Sequence, residues 1–349
     1  MKLQRLHIKN FKSIVDLEIV EPNPFTVFVG PNGSGKSNIF EALEFIAKDL
    51  GSNWEIIESL FGGEDSFLPF NSKNTFQGRI NFDKCFALTN KYELIKSGKN
   101  IGAYRTHFFN YRNPPQNLSK YPDILDKSLD IQRDTYCGPI FDQFFYNQSR
   151  IFIKNIEKQK YNLQDGYKLS FSCNNLEKVL KRILQDETKR EEIKEWLDLF
   201  IPGFENIEIV SSDLSGMDTL VMYEKGIKKP FTKDILSDGT YNILALLTAV
   251  YQSDEPQFLC IEEPENGLHP KVIRELVHFF REAYVTKGHY IWLNTHSQTL
   301  VSELTPEEII LVNKKKGETV IKQLKNQNLH GLRMDEAWLT AALGGGLPW

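Results

Sequence analysis

The octapeptide Gly30-Pro31-Asn32-Gly33-Ser34-Gly35-Lys36-Ser37 constrains this chain more than any other stretch of its 349 residues. It follows the apolar run FTVFV (25–29) and precedes an amphipathic stretch from Ser37 to about Leu50. A buried strand, a glycine-rich turn and a helix in that order form the GxxxxGK[ST] phosphate-binding pattern in full. Its glycines let backbone N–H groups turn inward, and the helix N-terminus favours an anion. Asn32, Gly33, Ser34, Gly35, Lys36, Ser37 and Asn38 are the expected cradle. Lys36 is placed to reach β- and γ-phosphates, and the Ser37 hydroxyl to hold Mg²⁺.

The rest of the chain agrees with an α/β reading. Residues 3–8 and 14–19 alternate apolar with polar, which predicts strands flanking the Asn10-Phe11-Lys12-Ser13 turn. From 236 onward, helical segments alternate with short apolar strands, the pattern of a mostly parallel sheet. The middle is less regular. GRINF, KYELI, ENIEIV and DTLVMY read as strands, and residues 175–199 as one helical stretch with Leu176, Val179, Leu180, Ile183 and Leu184 facing a core. The expected layout is an N-terminal lobe (1–83), an inserted lobe rich in helix and aromatics (84–230), a C-terminal lobe (231–313) and a tail (314–349).

Composition excludes some classes. The net charge of −4 is too small for a uniformly basic nucleic-acid sleeve. No apolar run approaches the roughly 18 residues that a membrane-spanning helix needs. The four cysteines form no CxxC pair. A reducing, cytoplasmic setting is therefore expected rather than a disulfide framework or a zinc site.

Three further motifs carry chemistry. The strand Phe258-Leu259-Cys260-Ile261 ends in Glu262 and Glu263. Alternation points two such carboxylates in different directions, so one can serve a metal shell and the other polarise a water. Glu262 is assigned to Mg²⁺ and Glu263 to the water. Leu236-Ser237-Asp238-Gly239-Thr240 precedes a helix expected from Tyr241, where Ser237 and Gly239 serve either as an anion site or as an ordinary helix cap. Asn294-Thr295-His296-Ser297 ends another strand and places His296 within reach of a γ-phosphate.

In this order, together with IKNFKS (8–13) and EEPENGLHP (262–270), these motifs resemble the ABC-type ATPases of the SMC/RecF/OLD group. The likeness covers about 1–50 and 230–313 and hardly touches the middle. It implies a P-loop NTPase of ABC/SMC-head type: a mixed sheet with flanking helices and an inserted lobe. ATP and Mg²⁺ are the implied cofactors. It also implies that two copies sandwich the nucleotide, the Ser237–Gly239 signature of one closing on the γ-phosphate held by the other. His296 would sense that phosphate, and residues 265–269 would lie at the dimer seam. A glutamine usually links nucleotide and lobe; Gln148 is the candidate, also as a metal ligand, with Gln77 as its rival. Asp238 departs from the family's usual signature, and Lys12 is one base that could offset its charge.

What the chain would act on is less defined. Residues 91–168 carry 13 Lys and Arg against 8 Asp and Glu, with many Tyr and Phe. That is either a DNA-contacting surface or a lobe with an aromatic core. With the sequence running to Trp349, the expectation is that the Toprim nuclease domain of OLD-type proteins is lacking. Its tail, with Trp338, Leu339 and Leu343, either packs on the protein's own sheet or docks a partner. The expectation is an ATP-hydrolysing homodimeric switch, not membrane-bound, that controls a separate nuclease or effector, as in anti-phage defence. A DNA-repair ATPase is the first alternative and a transporter's nucleotide-binding subunit the second.

Overall fold

The computed structural model describes residues 3–49, 60–61, 75–82, 86–97, 100–111, 147–152, 167–211, 218–232, 235–329, 331–340 and 343. They form two compact units, Met1–Gln148 with Thr305–Trp349, and Ser149–Leu304.

In the first unit the alternation resolves into β1 (Leu3–Phe11) and β2 (Ile14–Val20), an antiparallel hairpin. Leu3, Leu6, Ile8, Phe11, Ile14, Leu17 and Ile19 are buried. Next come β3 (Phe25–Val29), buried at every position, and α1 (Lys36–Asp49). The glycine-rich loop between them is thus anchored at both ends. β4 (Thr75–Phe82), β5 (Phe86–Ser97) and β6 (Asn100–Tyr111) extend the hairpin into a five-stranded antiparallel sheet, ordered β2-β1-β4-β5-β6. β6 occupies part of a region in which the sequence shows no period. Phe11, Phe45 and Phe76 meet with ring centroids 5.3–5.9 Å apart, joining β1, α1 and β4. Gly78 lets Ile46 of α1 approach, since a Cβ there would crowd the Ile46 side chain.

The second unit opens with β7 (Gln148–Ile151), from Ser149 on, beside the later strand β11. Residues 175–199 form two helices rather than one, α2 (Leu176–Ile183) and α3 (Glu187–Phe200). The break lies at Asp186, which is extended and accepts a hydrogen bond from Lys189 N at 3.2 Å. A carboxylate in that position caps a new helix and so ends the old one. Leu176, Val179, Leu180 and Ile183 are buried as the stripe predicts. β8 (Phe204–Ser211), β9 (Asp218–Glu224) and β10 (Phe231–Thr232) make a small antiparallel sheet. Then come α4 (Asp238–Tyr251), β11 (Phe258–Glu262), α5 (Pro270–Lys287), β12 (Tyr290–Thr295) and α6 (Gln298–Ser302). β11 and β12 are parallel, with Glu262 opposite Asn294.

The chain then returns to the first unit. β13 (Ile309–Lys315) runs parallel to β3, and β14 (Glu318–Gln323) folds back antiparallel on β13. Lys316 and Gly317 between them both have positive φ (49° and 87°), as a two-residue hairpin with right-handed strand twist requires. In α7 (Met334–Leu339), Trp338 is buried and Leu339 exposed. Leu343 is also buried, its carbonyl accepting a 2.7 Å bond from Lys322 Nζ. Among the described residues, no helix is long and apolar enough to cross a membrane.

Candidate functional site

The loop after β3 has the form its residues require. Gly30 passes so close to β13 that a Cβ would fall on the Val312 carbonyl oxygen. Gly33 and Gly35 hold φ at +77° and +99°, a region costly to any other residue. The Lys36 ammonium, 7% exposed, folds back to donate to the carbonyls of Gly30 (2.7 Å) and Pro31 (3.0 Å). It therefore lies across the mouth of the loop, where a phosphate would be cradled.

Two residues outside the loop brace it. Thr319 on β14 donates its N–H to the Ser13 carbonyl (2.8 Å). Its hydroxyl donates to the Ser34 carbonyl at 3.1 Å and lies 2.6 Å from Ser13 Oγ. Asn38 Nδ2 also donates to Ser13 Oγ, at 2.6 Å. A Cβ on Gly35 would overlap the Thr319 side chain. The turn at the start of the chain and the strand near its end thus grip the loop from outside. Lys12, the base that could offset Asp238, is ion-paired with Glu41 of α1. That places it against α1 within this unit.

In the second unit the carboxylates at the end of β11 diverge as alternation predicts. Glu262, 6% exposed, accepts from Arg150 Nε at 2.6 Å and ion-pairs with the same guanidinium. Arg150 also lies over the Phe171 ring, 4.8 Å from its centroid. Gln148 sits two residues earlier on β7, so its side chain shares a strand face with Arg150. It is 6% exposed, and its Nε2 finds no hydrogen-bond partner. Gln77 lies in β4, opposite Lys9 and Lys91 in the antiparallel sheet. Ser37 and Gln148 belong to the first unit and Glu262 to the second; each carries an oxygen of the hard type that Mg²⁺ takes.

Glu263 leaves the strand in a left-handed conformation, φ 46°. This costs a non-glycine residue of order 1 kcal/mol or more. Asn294 offsets that cost by accepting the Glu263 N–H at its carbonyl (3.0 Å) and its Oδ1 (3.1 Å). The Glu263 carboxylate then lies between Asn266 Nδ2 (3.1 Å) and His296 Nδ1 (3.5 Å). It is a half-buried acid beside a half-exposed imidazole, as water activation needs.

Behind it, Glu265 is buried and accepts a hydrogen bond from the Thr295 hydroxyl, which also receives Ser297 N–H at 2.9 Å. Burial raises the Glu265 pKa above the ordinary carboxylate range. His269 caps α5, its Nδ1 accepting from Lys271 N at 3.2 Å. The signature helix α4 starts at Asp238, three residues before the expected Tyr241, because Ser237 caps it by accepting from Thr240 N at 3.1 Å. Ser237 and Asp238 are exposed, whereas Gly239 is buried against Gly267. Asp238 sits in the first turn of α4, where a negative charge suits the helix.

Arg150, Asn294, Thr319 and the pairing of Ser13 with Thr319 are not among the residues expected from sequence. Asn294 stands inside the quoted NTHS motif, and Arg150 follows Gln148 by two. Thr319 carries no local signal. The basic and aromatic segment is described only in part: Phe144, Phe145 and Tyr146 lie outside the described residues, as do the side chains of Phe108, Phe109 and Tyr111.

Residues 25–302 match the family model described as "AAA domain, putative AbiEii toxin, Type IV TA system". The chain belongs to this AAA-domain family. The AAA-domain protein is 25% identical to a DNA replication and repair protein RecF from Lactococcus lactis subsp. cremoris (strain SK11), over 75% of its own length and 73% of the relative's. It is 23% identical to the Old nuclease of Escherichia phage P2, covering 95% of this chain but 62% of that one. In fold it is similar to an Smc head domain from Pyrococcus furiosus with an extended coiled coil, solved bound to the C-terminal domain of ScpA. The TM-score is 0.57 at 16% identity, and 99% of each chain is covered. The AAA-domain protein therefore has the P-loop NTPase fold of an SMC head and is similar to the SMC, RecF and OLD proteins, in line with its motifs.

Proposed function

We propose that this protein is an ATP-hydrolysing switch in which two copies close around bound nucleotide. Lys36 and the backbone amides of residues 32–38 bind the β- and γ-phosphates. Ser37 and Glu262, with the Gln148 amide, hold Mg²⁺. When bound, Mg²⁺ neutralises phosphate charge as the terminal phosphoryl group leaves. Glu263 accepts a proton from the attacking water, and His296 holds the γ-phosphate side of the site. Ser237 and Gly239 of a second copy complete the enclosure, so that binding closes the pair and hydrolysis opens it. The observation that carries this reading is the placement of Glu263. A strained backbone tethered by Asn294 aims its carboxylate at His296. The test is ATP turnover by the purified protein, with sizing of Glu263→Gln in the presence of ATP. The expected result is turnover in the parent and a trapped, nucleotide-filled dimer in the variant. Brisk hydrolysis by the variant overturns the assignment of Glu263.

The switch would serve a separate nuclease or effector in defence against phage, supported by the likeness to the Old nuclease of phage P2. The RecF likeness favours a second reading, a DNA-repair ATPase. Turnover stimulated by DNA alone selects repair. Turnover that changes only with a copurifying protein selects the effector reading.

A further inference from the structure

Asn242 is 2% exposed in the second turn of the signature helix α4. Its Nδ2 donates one bond to the Pro264 carbonyl at 3.0 Å and another to the Asn266 carbonyl at 2.7 Å. A primary amide carries two protons, and here each has its own acceptor on either side of Glu265. The reverse amide orientation would press one carbonyl against two others, so the bonding fixes the side chain. Asn266 passes the link on, since its own Nδ2 donates to Glu263 Oε2 at 3.1 Å. One turn back along α4, Gly239 packs on Gly267, close enough that a Cβ would fall on the Gly267 carbonyl oxygen. The turn from Glu263 to Gly267 begins and ends at positive φ (46° and 73°) and closes with an Asn266 N to Glu263 carbonyl bond of 3.1 Å. Such a turn holds its shape only where its surroundings impose it. Asn294 fixes one end, and α4 fixes the other.

We propose that Asn242 is a positioning residue for Glu263. It ties the signature helix to the Glu263–Gly267 turn, so that engagement of Ser237 and Gly239 by a second copy's nucleotide sets the aim of the Glu263 carboxylate. A bond to a main-chain carbonyl suits this role, because it moves the turn as a piece whatever the side chains do. The inference rests on the proposed hydrolytic switch and adds a direction to it: the residue acts on turnover and leaves nucleotide capture alone.

The test compares Asn242→Ala and Asn242→Asp with the parent. Asn242→Asp keeps the side-chain shape and removes the two-proton donor. Three quantities are measured: affinity for a fluorescent ATP analogue, kcat and KM for ATP, and ATP-driven dimer formation in a Glu263→Gln background. The expected result is a fall in kcat of tenfold or more in both variants, with analogue affinity and KM within about twofold of the parent and dimer formation retained. An unchanged kcat overturns the proposal. So does a parallel loss of kcat and affinity, or loss of the folded protein in both variants, either of which makes Asn242 a structural staple only. A parent that never hydrolyses ATP removes the switch itself and this inference with it. An active parent with equally active variants removes only the role of Asn242.

Discussion

Ser13 and Thr319 stand 306 positions apart in the chain, and their hydroxyl oxygens lie 2.6 Å from each other behind the phosphate-binding loop. Thr319 also donates to the Ser34 carbonyl, and its hydroxyl oxygen fills the space that Gly35 leaves open. The loop's shape is therefore set from outside as well as by its own glycines.

Thr319→Val keeps the shape of that brace and removes its hydroxyl. Two hydrogen bonds at about 1 kcal/mol each predict ATP affinity lower by one to two orders of magnitude. Gly35→Ala is expected to abolish binding, because φ +99° and the Thr319 side chain both exclude a methyl group. Titration with a fluorescent nucleotide reads both. Parent-like affinity in Thr319→Val would show that the glycines alone suffice.

Arg150 and Glu262 form an ion pair with 9% and 5% of their side chains exposed. Arg150→Met takes the guanidinium away from a buried carboxylate, and stability is expected to fall by about 3 kcal/mol. If Glu262 holds the metal as proposed, Mg²⁺ bound with ATP would supply replacement positive charge there. The thermal shift on adding it should therefore be larger in the variant than in the parent. Melting curves with and without Mg-ATP decide this, and equal shifts would separate Glu262 from the metal.

Glu263→Gln preserves the bond from Asn266 at the retained oxygen and removes the proposed general base. Loss of a positioned general base predicts turnover down by about 10²- to 10⁴-fold. Nucleotide binding should be retained. Steady-state hydrolysis and equilibrium binding, measured on the same preparation, separate the two.

His289 is fully buried in the second unit. Its Nδ1 accepts from Gln257 N at 3.2 Å, and Nε2 lies 3.1 Å from the Val250 carbonyl. Protonating Nδ1 would set one donor against another, and burial lowers the pKa to about 4 from the ordinary 6.5. The unfolded chain thus takes up a proton before the folded one does. Its contribution to stability is complete above pH 6.5 and declines as pH falls toward 4, by about 3 kcal/mol in all. Denaturant melts across that range should show the decline, and His289→Gln should flatten it. An identical slope in both proteins would place the acid sensitivity elsewhere.

Chemistry confined to one segment was legible in the sequence. The glycine loop, the paired carboxylates, the Ser237 helix start and the His296 strand end each form within a few residues, so their order and spacing could be read directly. The double helix at 176–200 was not, because apolar spacing continues across Asp186 while its capping carboxylate ends the first helix. β6 escaped notice for a related reason: a strand paired in an extended sheet need not alternate.

The sequence by itself determined the family and singled out the glycine-rich loop and the two candidate acids, because these depend on residue type at fixed short spacing. The tertiary structure alone decided that Thr319 braces the loop, that Arg150 neutralises Glu262, that Lys12 belongs to Glu41, and that Asn242 and Asn294 hold the Glu263 turn. Each is a contact between segments distant along the chain. Such contacts are set by how strands and helices pack, and no local pattern of residues encodes them.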